Sequence, residues 1–425
     1  MEYSVFTGLH HGFSVPVRDP LWGHVYFTPA LAALTESLPF TRLSRIMQLG
    51  PAFCVYPGAT HTRASHSIGV YHLARRLLAN LYEKGPPPLS SEGVFSFLCA
   101  ALLHDLGHFP YAHSLKELAL EDHESLSARI ILSEPLKGLV ANTGADPELT
   151  AAIINKKTKK SEKTPFCEQQ TDSELHFFRQ LLSGVLDPDK LDYLNRDAYY
   201  CGVPYGAQDV DFIYSRLFPH PQRGIEIDSR GIPSVESILF SKYLMYRSVY
   251  WHRQLRSATA MIKKALLAGL ERECICAEEL YNLDDQGLFS LMAAKEKELP
   301  VFSLARRVKE GKLYTESASF FYNEQYTKDI SKRKTQETAL TEEINKVSGK
   351  KLNADSIIID IPEPVSFETD LFVRDENCNF SESSSVFKRS AVEAFVQSLR
   401  KLRIFSAEAL DIPKGLLQDY KNWLH

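Results

Sequence analysis

The sequence predicts a mainly α protein: a helical body that carries a short β-hairpin, followed by a smaller α+β domain at the C-terminal end. Three observations carry this expectation. Apolar residues recur at helical spacing through most of the first 270 positions. Beyond about residue 300 the pattern changes, and β-branched runs such as SIIIDIP (356–362) take over. A chain of 425 residues is also too long for one simple core. The expected division is residues 1–300, with a core at 20–270, and residues 301–425.

Residues 28–49, 64–82 and 92–105 have the helical period. Gly107 and Pro110 end the third of these, which puts His104 and Asp105 in its last turn. Residues 114–133 and 174–196 also read as helices. Between them, KKTKKSEKTPFCEQQTDSE (156–174) is polar, charged and almost free of aliphatics, as in a mobile surface insertion. RGIEIDSRGIPSVES (223–237) reads as a hairpin turning at Ser-Arg-Gly, with a long helix through roughly 236–270 after it. In the C-terminal stretch, SSVFKRS (384–390) is expected as a strand and AVEAFVQSLRKLRIF as a helix. No internal repeat is visible.

Composition narrows the functional classes. The chain is 44% hydrophobic and 24% charged with a formal net charge of −4, so charge supplies no reason to expect a nucleic-acid or membrane partner. MEYSVFTGLHHGF lacks the basic start and apolar core of a signal peptide, and the longest apolar run, near 94–103, is half a membrane span. Seven scattered cysteines fit a reducing compartment, and Cys274 and Cys276 read as packing residues. A cytoplasmic protein is expected.

LLHDLGHFPYAH (102–113) sets three histidines and an aspartate against the apolar run VFSFLCAALL. Burying such groups without partners would cost several kcal/mol, so they meet solvent, a metal or a reaction. His66, His104, Asp105 and Asp189 stand out together, and they can meet only if three helices converge. Two imidazoles and two carboxylates suit a divalent ion of intermediate softness (Mn, Fe, Ni, Co or Zn) and leave positions for water and a substrate oxygen. Adjacent helical residues point about 100° apart, so His104 and Asp105 can share an ion only near a helix end.

HTRASHSIGVYHLA, LLHDLGHFPYAHS, DHES and DPDKLDYLNRDAYYCGV together resemble the HD-domain phosphohydrolases. MQLGPAFCVYPGATHTRASHS is similar to one branch, which contains the mammalian SAM-and-HD-domain deoxynucleoside triphosphate triphosphohydrolase and bacterial relatives. The resemblance covers about residues 20–270, weakens beyond 300 and includes no SAM domain. It implies that His66, His104, Asp105 and Asp189 bind one divalent metal, with Mg added to the candidates above and a second Mg arriving with the triphosphate. It further implies that Arg63 holds a phosphate, and that His108, His113 and His123 bind phosphate and handle protons, work that suits a group titrating near neutrality. By the same resemblance Lys190 and Lys242 face phosphates. Tyr193 packs under the sugar, Asp197 accepts from its 3′-hydroxyl, and Gln48, Leu49 and Tyr250 line the sugar and base. Relatives form symmetric oligomers, and a homo-oligomer is expected here.

The departures are specific. Lys116 stands where relatives commonly have an acidic residue, with Glu117 and Glu124 as the nearby substitutes. Lys242 replaces an arginine and loses its bidentate fork, and Trp251 replaces a glutamine near the base. Glu36, Thr41 and Ser44 replace the aspartate, glutamine and arginine of the mammalian activator site. The reading that follows is a metal-dependent hydrolase converting a dNTP and water to deoxynucleoside and tripolyphosphate. Two alternatives stand beside it: a phosphodiesterase or phosphatase acting on a signalling nucleotide, and a non-catalytic binder of nucleotides or single-stranded nucleic acid. The first lacks support in LGHFP, which has no Glu-Asp step after the His-Asp pair; intact ligand residues argue against the second.

Overall fold

The computed structural model describes residues 11–85, 87–157, 165–323, 330–384, 386–410 and 412. We number the described helices of eight residues or more. In the first half these are α1 (Arg63–Tyr82), α2 (Ser91–Leu103), α3 (His123–Ile131), α4 (Pro147–Ile154), α5 (Pro165–Leu182) and α6 (Pro188–Cys201). They are followed by α7 (Ile232–Met245), α8 (Arg253–Glu271), α9 (Asp285–Ala294), α10 (Ile330–Ser348) and α11 (Arg389–Leu399). The fold is mainly α.

The centre of the body is α2. From Val94 to Leu103 all but one of its residues are buried, which is why its sequence is apolar on every face. It starts where Ser90 caps the backbone N–H of Gly93. It packs against α1, whose N-terminus carries a capping box between Thr62 and Ser65. On the far side of α1 lies α6, opened by Asp187 as cap with Pro188 in the first turn and closed by Gly202 at φ +66°. These two helices pack closely because position 69 is glycine: a Cβ there would run into Asp192 and Arg196.

Among the described residues there are three small sheets. β1 (Val15–Asp19) and β2 (Gly23–Phe27) form an antiparallel hairpin with Val15 opposite Phe27. β3 (Leu217–His220) and β4 (Gly224–Ile227) form a second hairpin, extended by β7 (Phe372–Val373) parallel to β4 and by β8 (Cys378–Asn379). β5 (Thr315–Phe321) and β6 (Ile357–Asp360) flank β9 (Lys401–Ser406), both antiparallel.

Several element expectations are corrected. The second hairpin turns at 221–223, not at Ser229-Arg230-Gly231, which leads into α7. The long helix expected over 236–270 is broken by a π-helical turn at Tyr246–Tyr250 and by Trp251. The polar insertion is helical from Pro165 onward, anchored where Phe177, Phe178 and Leu181 bury; residues 158–164 lie outside the described residues. SSVFKRS is not a strand: Ser384 accepts from Phe387 N, and the helix α11 begins at Arg389. The KLRIF end of the expected C-terminal helix is instead β9, a central strand buried on both faces, where no alternation is available to read.

The stretch beyond residue 300 joins two cores. Val365, Phe367, Leu371, Val373, Phe380 and Phe387 pack in the same cluster as α1, α2 and α6. Ile358 and Phe405 pack with α8 and with Phe109 and Leu115 of the histidine-rich loop. Residues 363–368 are thereby brought to the wall of the main cavity.

Candidate metal centre and substrate cavity

Three helix ends meet at one point. His66 lies one turn into α1, His104 caps the C-terminus of α2 with Asp105 next to it, and Asp189 sits in the first turn of α6. Donor atoms of His66, His104 and Asp105 lie within 4.8 Å of one another. Asp189 Oδ1 stands 3.0 Å from His66 Nε2 and 3.9 Å from His104 Nε2.

The outer faces of the two imidazoles fix their protonation. His104 Nδ1 is 2.9 Å from the carbonyl oxygen of Ala101, which can only accept, so Nδ1 carries the proton and Nε2 turns a lone pair inward. His66 Nδ1 donates to Asp192 Oδ2 at 2.8 Å. Burial would raise the Asp192 carboxyl, yet Arg196 and His66 hold it well below the ordinary carboxylate range. Arg196, wholly buried, grips Asp192 through Nε and Nη2 and reaches Asp19 through Nη1 at 2.9 Å. His66 Nε2 faces the Asp189 oxygen at 3.0 Å, where a positive charge belongs, supplied by a proton on Nε2 or by a bound cation in its place. Burial alone would lower the His66 pKa, but Asp189 and Asp192 overcome it and push it up to about 10. The donor set fits a divalent cation of the kind the sequence suggested.

Beside this point is a second imidazole cluster. His108 Nε2 and His113 Nε2 are 3.0 Å apart, and the His108 and His123 rings 3.9 Å, centre to centre. The loop closes tightly because Gly107 abuts the backbone of His123 and Ser127, where a Cβ would clash, and because Tyr111 adopts φ +64°. Burial, with Arg63 adding to it, holds His108 well below its ordinary pKa and brings His123 down to about 4. Both are neutral near pH 7 and can accept a proton. Arg63 Nη1 donates to Asp105 Oδ2 at 2.7 Å. Lys116 and Glu124 line the cavity, whereas Glu117 is taken up by Lys263 and Arg333.

The cavity has a volume of about 660 Å³, within the range of small-molecule sites. Gln48, Leu49, Arg63, His66, His104, Asp105, His113, His123, Asp189, Lys190, Tyr193, Asp197 and Tyr250 all line it. His108 stands one layer behind, wholly buried, and Lys242 is not among the lining residues. Instead Lys242 Nζ donates to Ser366 O at 2.7 Å and lies 3.6 Å from Glu368. Lys190 Nζ donates to Asp187 and Gly184 O and lies 3.5 Å from the same Glu368 oxygen. On α6, Asp189, Lys190, Tyr193 and Asp197 face the cavity while Asp192 and Arg196 face α1. The π turn aims Tyr250 Oη at Asp197 Oδ2, 2.7 Å away.

Comparison with known proteins agrees with this geometry. Residues 63–194 match the HD domain, and residues 219–409 match the HD associated region. The stretch that holds the candidate metal centre is thus an HD domain. The matched HD domain runs from Arg63 to one turn past Lys190 and so contains all four metal-site donors. Among relatives, the uncharacterised protein YwfO of Bacillus subtilis is 35% identical over 252 residues, 59% of this chain and 54% of that one. The deoxynucleoside triphosphate triphosphohydrolase SAMHD1 of Bos taurus is 28% identical over 281 residues, 59% of this chain and 47% of that one. The chain thus spans about half the length of the curated relatives it matches. A crystal structure of a phosphohydrolase from Bacteroides thetaiotaomicron shares the fold with a TM-score of 0.70 at 22% identity, over 92% of this chain and 99% of that one. No helix among the described residues is long and apolar enough to cross a membrane.

Sequence reasoning missed three residues in or beside the cavity. Asp192, one turn after Asp189, could have been found from its spacing on α6. His61 lay within the quoted HTRASHS motif. Glu368 had no local signal, because it is 178 positions beyond Lys190 and reaches the cavity only through tertiary packing.

Proposed function

We propose that this protein is a metal-dependent phosphohydrolase acting on deoxynucleoside triphosphates, releasing the deoxynucleoside and tripolyphosphate. The observation that carries the reading is the convergence of His66, His104, Asp105 and Asp189 at the head of a cavity of about 660 Å³. The name of the SAMHD1 relative supports the substrate class. A divalent cation held by these four residues would supply a Lewis acid for a phosphate oxygen and a water of lowered pKa. Arg63, already paired to Asp105, would donate its remaining N–H groups to a phosphate oxygen. The neutral His113 and His123, backed by His108, would accept and return the proton that moves as the bridging bond breaks. Tyr193, set edge-on to Tyr250, offers a close-packed ring to the pentose. A homo-oligomer and a cytoplasmic location go with this reading, as does independence from guanine nucleotide at Glu36, Thr41 and Ser44.

Chromatographic product analysis with each dNTP and NTP in the presence of Mn tests it. Nucleoside plus tripolyphosphate is the expected outcome. dNMP with pyrophosphate, or dNDP with phosphate, would show that another bond is broken and reject the reading.

A further inference from the structure

Asp197 is a carboxylate at 2% exposure whose two oxygens are held from opposite sides. Tyr250 Oη donates to Oδ2 at 2.7 Å, and His61 Nε2 lies 2.7 Å from Oδ1. Since the carboxylate accepts, Nε2 is the protonated nitrogen of His61. The imidazole is itself at 4% exposure and stacks on the Tyr200 ring, 4.7 Å centre to centre at 23° between planes. The backbone of the same residue does a second job. His61 O accepts from Gln48 N at 3.0 Å, next to the bridge between Met47 and Thr62, so Gln48 is hung from His61. Gln48 Oε1 is buried and has no hydrogen-bond partner within the protein.

We propose that His61 is the positioning residue for the pentose end of the cavity, setting Asp197 through its ring and Gln48 through its carbonyl. The inference rests on the nucleotide reading above and adds to it the residue that aims both polar groups. A carboxylate has about four acceptor positions, and His61 and Tyr250 use one on each oxygen, so acceptor capacity remains on Asp197. Asp197 and Gln48 Oε1 both accept and both residues line the cavity, so a ligand group that meets them is a donor, on the nucleotide reading a sugar hydroxyl, and not a phosphate or carbonyl oxygen. With the His61 N–H removed, the carboxylate loses one of its two tethers, the one on Oδ1, and can turn about χ2. The hydroxyl then meets a misaligned acceptor, while a sugar without that hydroxyl has nothing to lose.

The test compares kcat/KM for a 2′-deoxynucleoside triphosphate and its 2′,3′-dideoxy counterpart in wild type, His61→Ala and His61→Gln, with metal content and circular dichroism read on each. The expected result is that wild type prefers the 3′-hydroxyl and that His61→Ala reduces this preference about tenfold, the weight of one hydrogen bond, with metal content unchanged. His61→Gln, which keeps an N–H donor, recovers part of it. A proportional loss on both substrates, with the ratio intact, would make His61 merely structural and overturn the proposal. Should His61→Ala not fold, the ratio in His61→Gln decides: unchanged from wild type overturns the proposal, reduced supports it. A wild type that turns over neither compound removes the nucleotide reading and this inference together. A wild type that discriminates beside a variant with the same ratio removes only the role of His61.

Discussion

At the metal end of the cavity, His66, His104, Asp105 and Asp189 are each held on the side that faces away from the ion: by Asp192, by Ala101 O, by Arg63 and by the first turn of α6. At the lysine end, Lys190, which lines the cavity, and Lys242, which stands behind it, both lie beside the carboxylate of Glu368 from the C-terminal stretch. The first arrangement is complete before anything binds, because helix ends inside one core set it. On the proposed reading the second would be provisional, because an incoming anion would exchange with a carboxylate of the chain itself. Tight positioning would then belong to the centre where geometry decides the chemistry, and exchangeable pairing to the part that admits a charged ligand.

The largest effect that would break this contrast is loss of the metal end. Asp105→Ala should lose bound metal, measured by elemental analysis, and lower activity about a thousandfold or more, the several kcal/mol that metal-ion catalysis contributes. Full activity in the metal-free variant would take the ion out of the reaction. Asp192→Asn leaves all four donors but frees His66 Nδ1, and metal affinity in a chelator competition should fall about 10- to 100-fold. Unfolding in urea should also show a loss of stability of up to about 3–5 kcal/mol, because buried Arg196 keeps only Asp19 of its two carboxylate partners.

On the proposed reading the sugar would lie between the two ends. The Tyr193 ring would leave little room for a 2′-hydroxyl and no acceptor for it, worth roughly 1–3 kcal/mol, or about a ten- to hundredfold preference for deoxyribose. Tyr193→Ala should narrow the dNTP/NTP ratio of kcat/KM mainly by raising NTP turnover, and equal wild-type values for dATP and ATP would remove the preference. At the lysine end the effect is smaller. Glu368→Gln removes the competing carboxylate, and because that side chain is 39% exposed its ion pairs are screened. KM should fall about threefold with kcat unchanged, and a rise in KM would show that Glu368 aims the lysines instead of blocking them.

The smallest effect reads the rim by pH. Burial pushes Asp285, whose Oδ2 accepts from Met47 N at 2.8 Å, up to about 6, against the pull of that hydrogen bond and of Arg63. The folded state therefore holds this proton more tightly than the unfolded chain does. The resulting stability is complete below about pH 4 and is lost as pH rises through 6, on the order of 2 kcal/mol in all. Asp285→Asn keeps an acceptor for Met47, and its urea midpoint should lack that decline between pH 4 and 6. A wild-type slope identical to that of the variant would exclude the effect.

The sequence by itself determined the helices that bear the chemistry and the residue types at their ends. In α1, α2 and α6 the period, the caps at Thr62, Ser90 and Asp187 and the glycine stops are all local, and local signals can be read in one dimension. The four candidate donors were legible only as a set: a His-Asp pair alone is more often structural, and the order and flanking residues of the motifs around His66, His104, Asp105 and Asp189 are what singled them out. Only the tertiary structure decided the strands and the surroundings of the donors. KLRIF became β9 because β5 and β6 cover it, and a strand buried on both faces loses the alternation that would announce it. The π turn at Tyr246–Tyr250, the grip of His61 and Tyr250 on Asp197, and Glu368 between two lysines each depend on groups from 53 to 178 positions apart. Such partners are chosen by packing, which brings distant segments together at hydrogen-bond range, and no period or spacing along the chain records that choice.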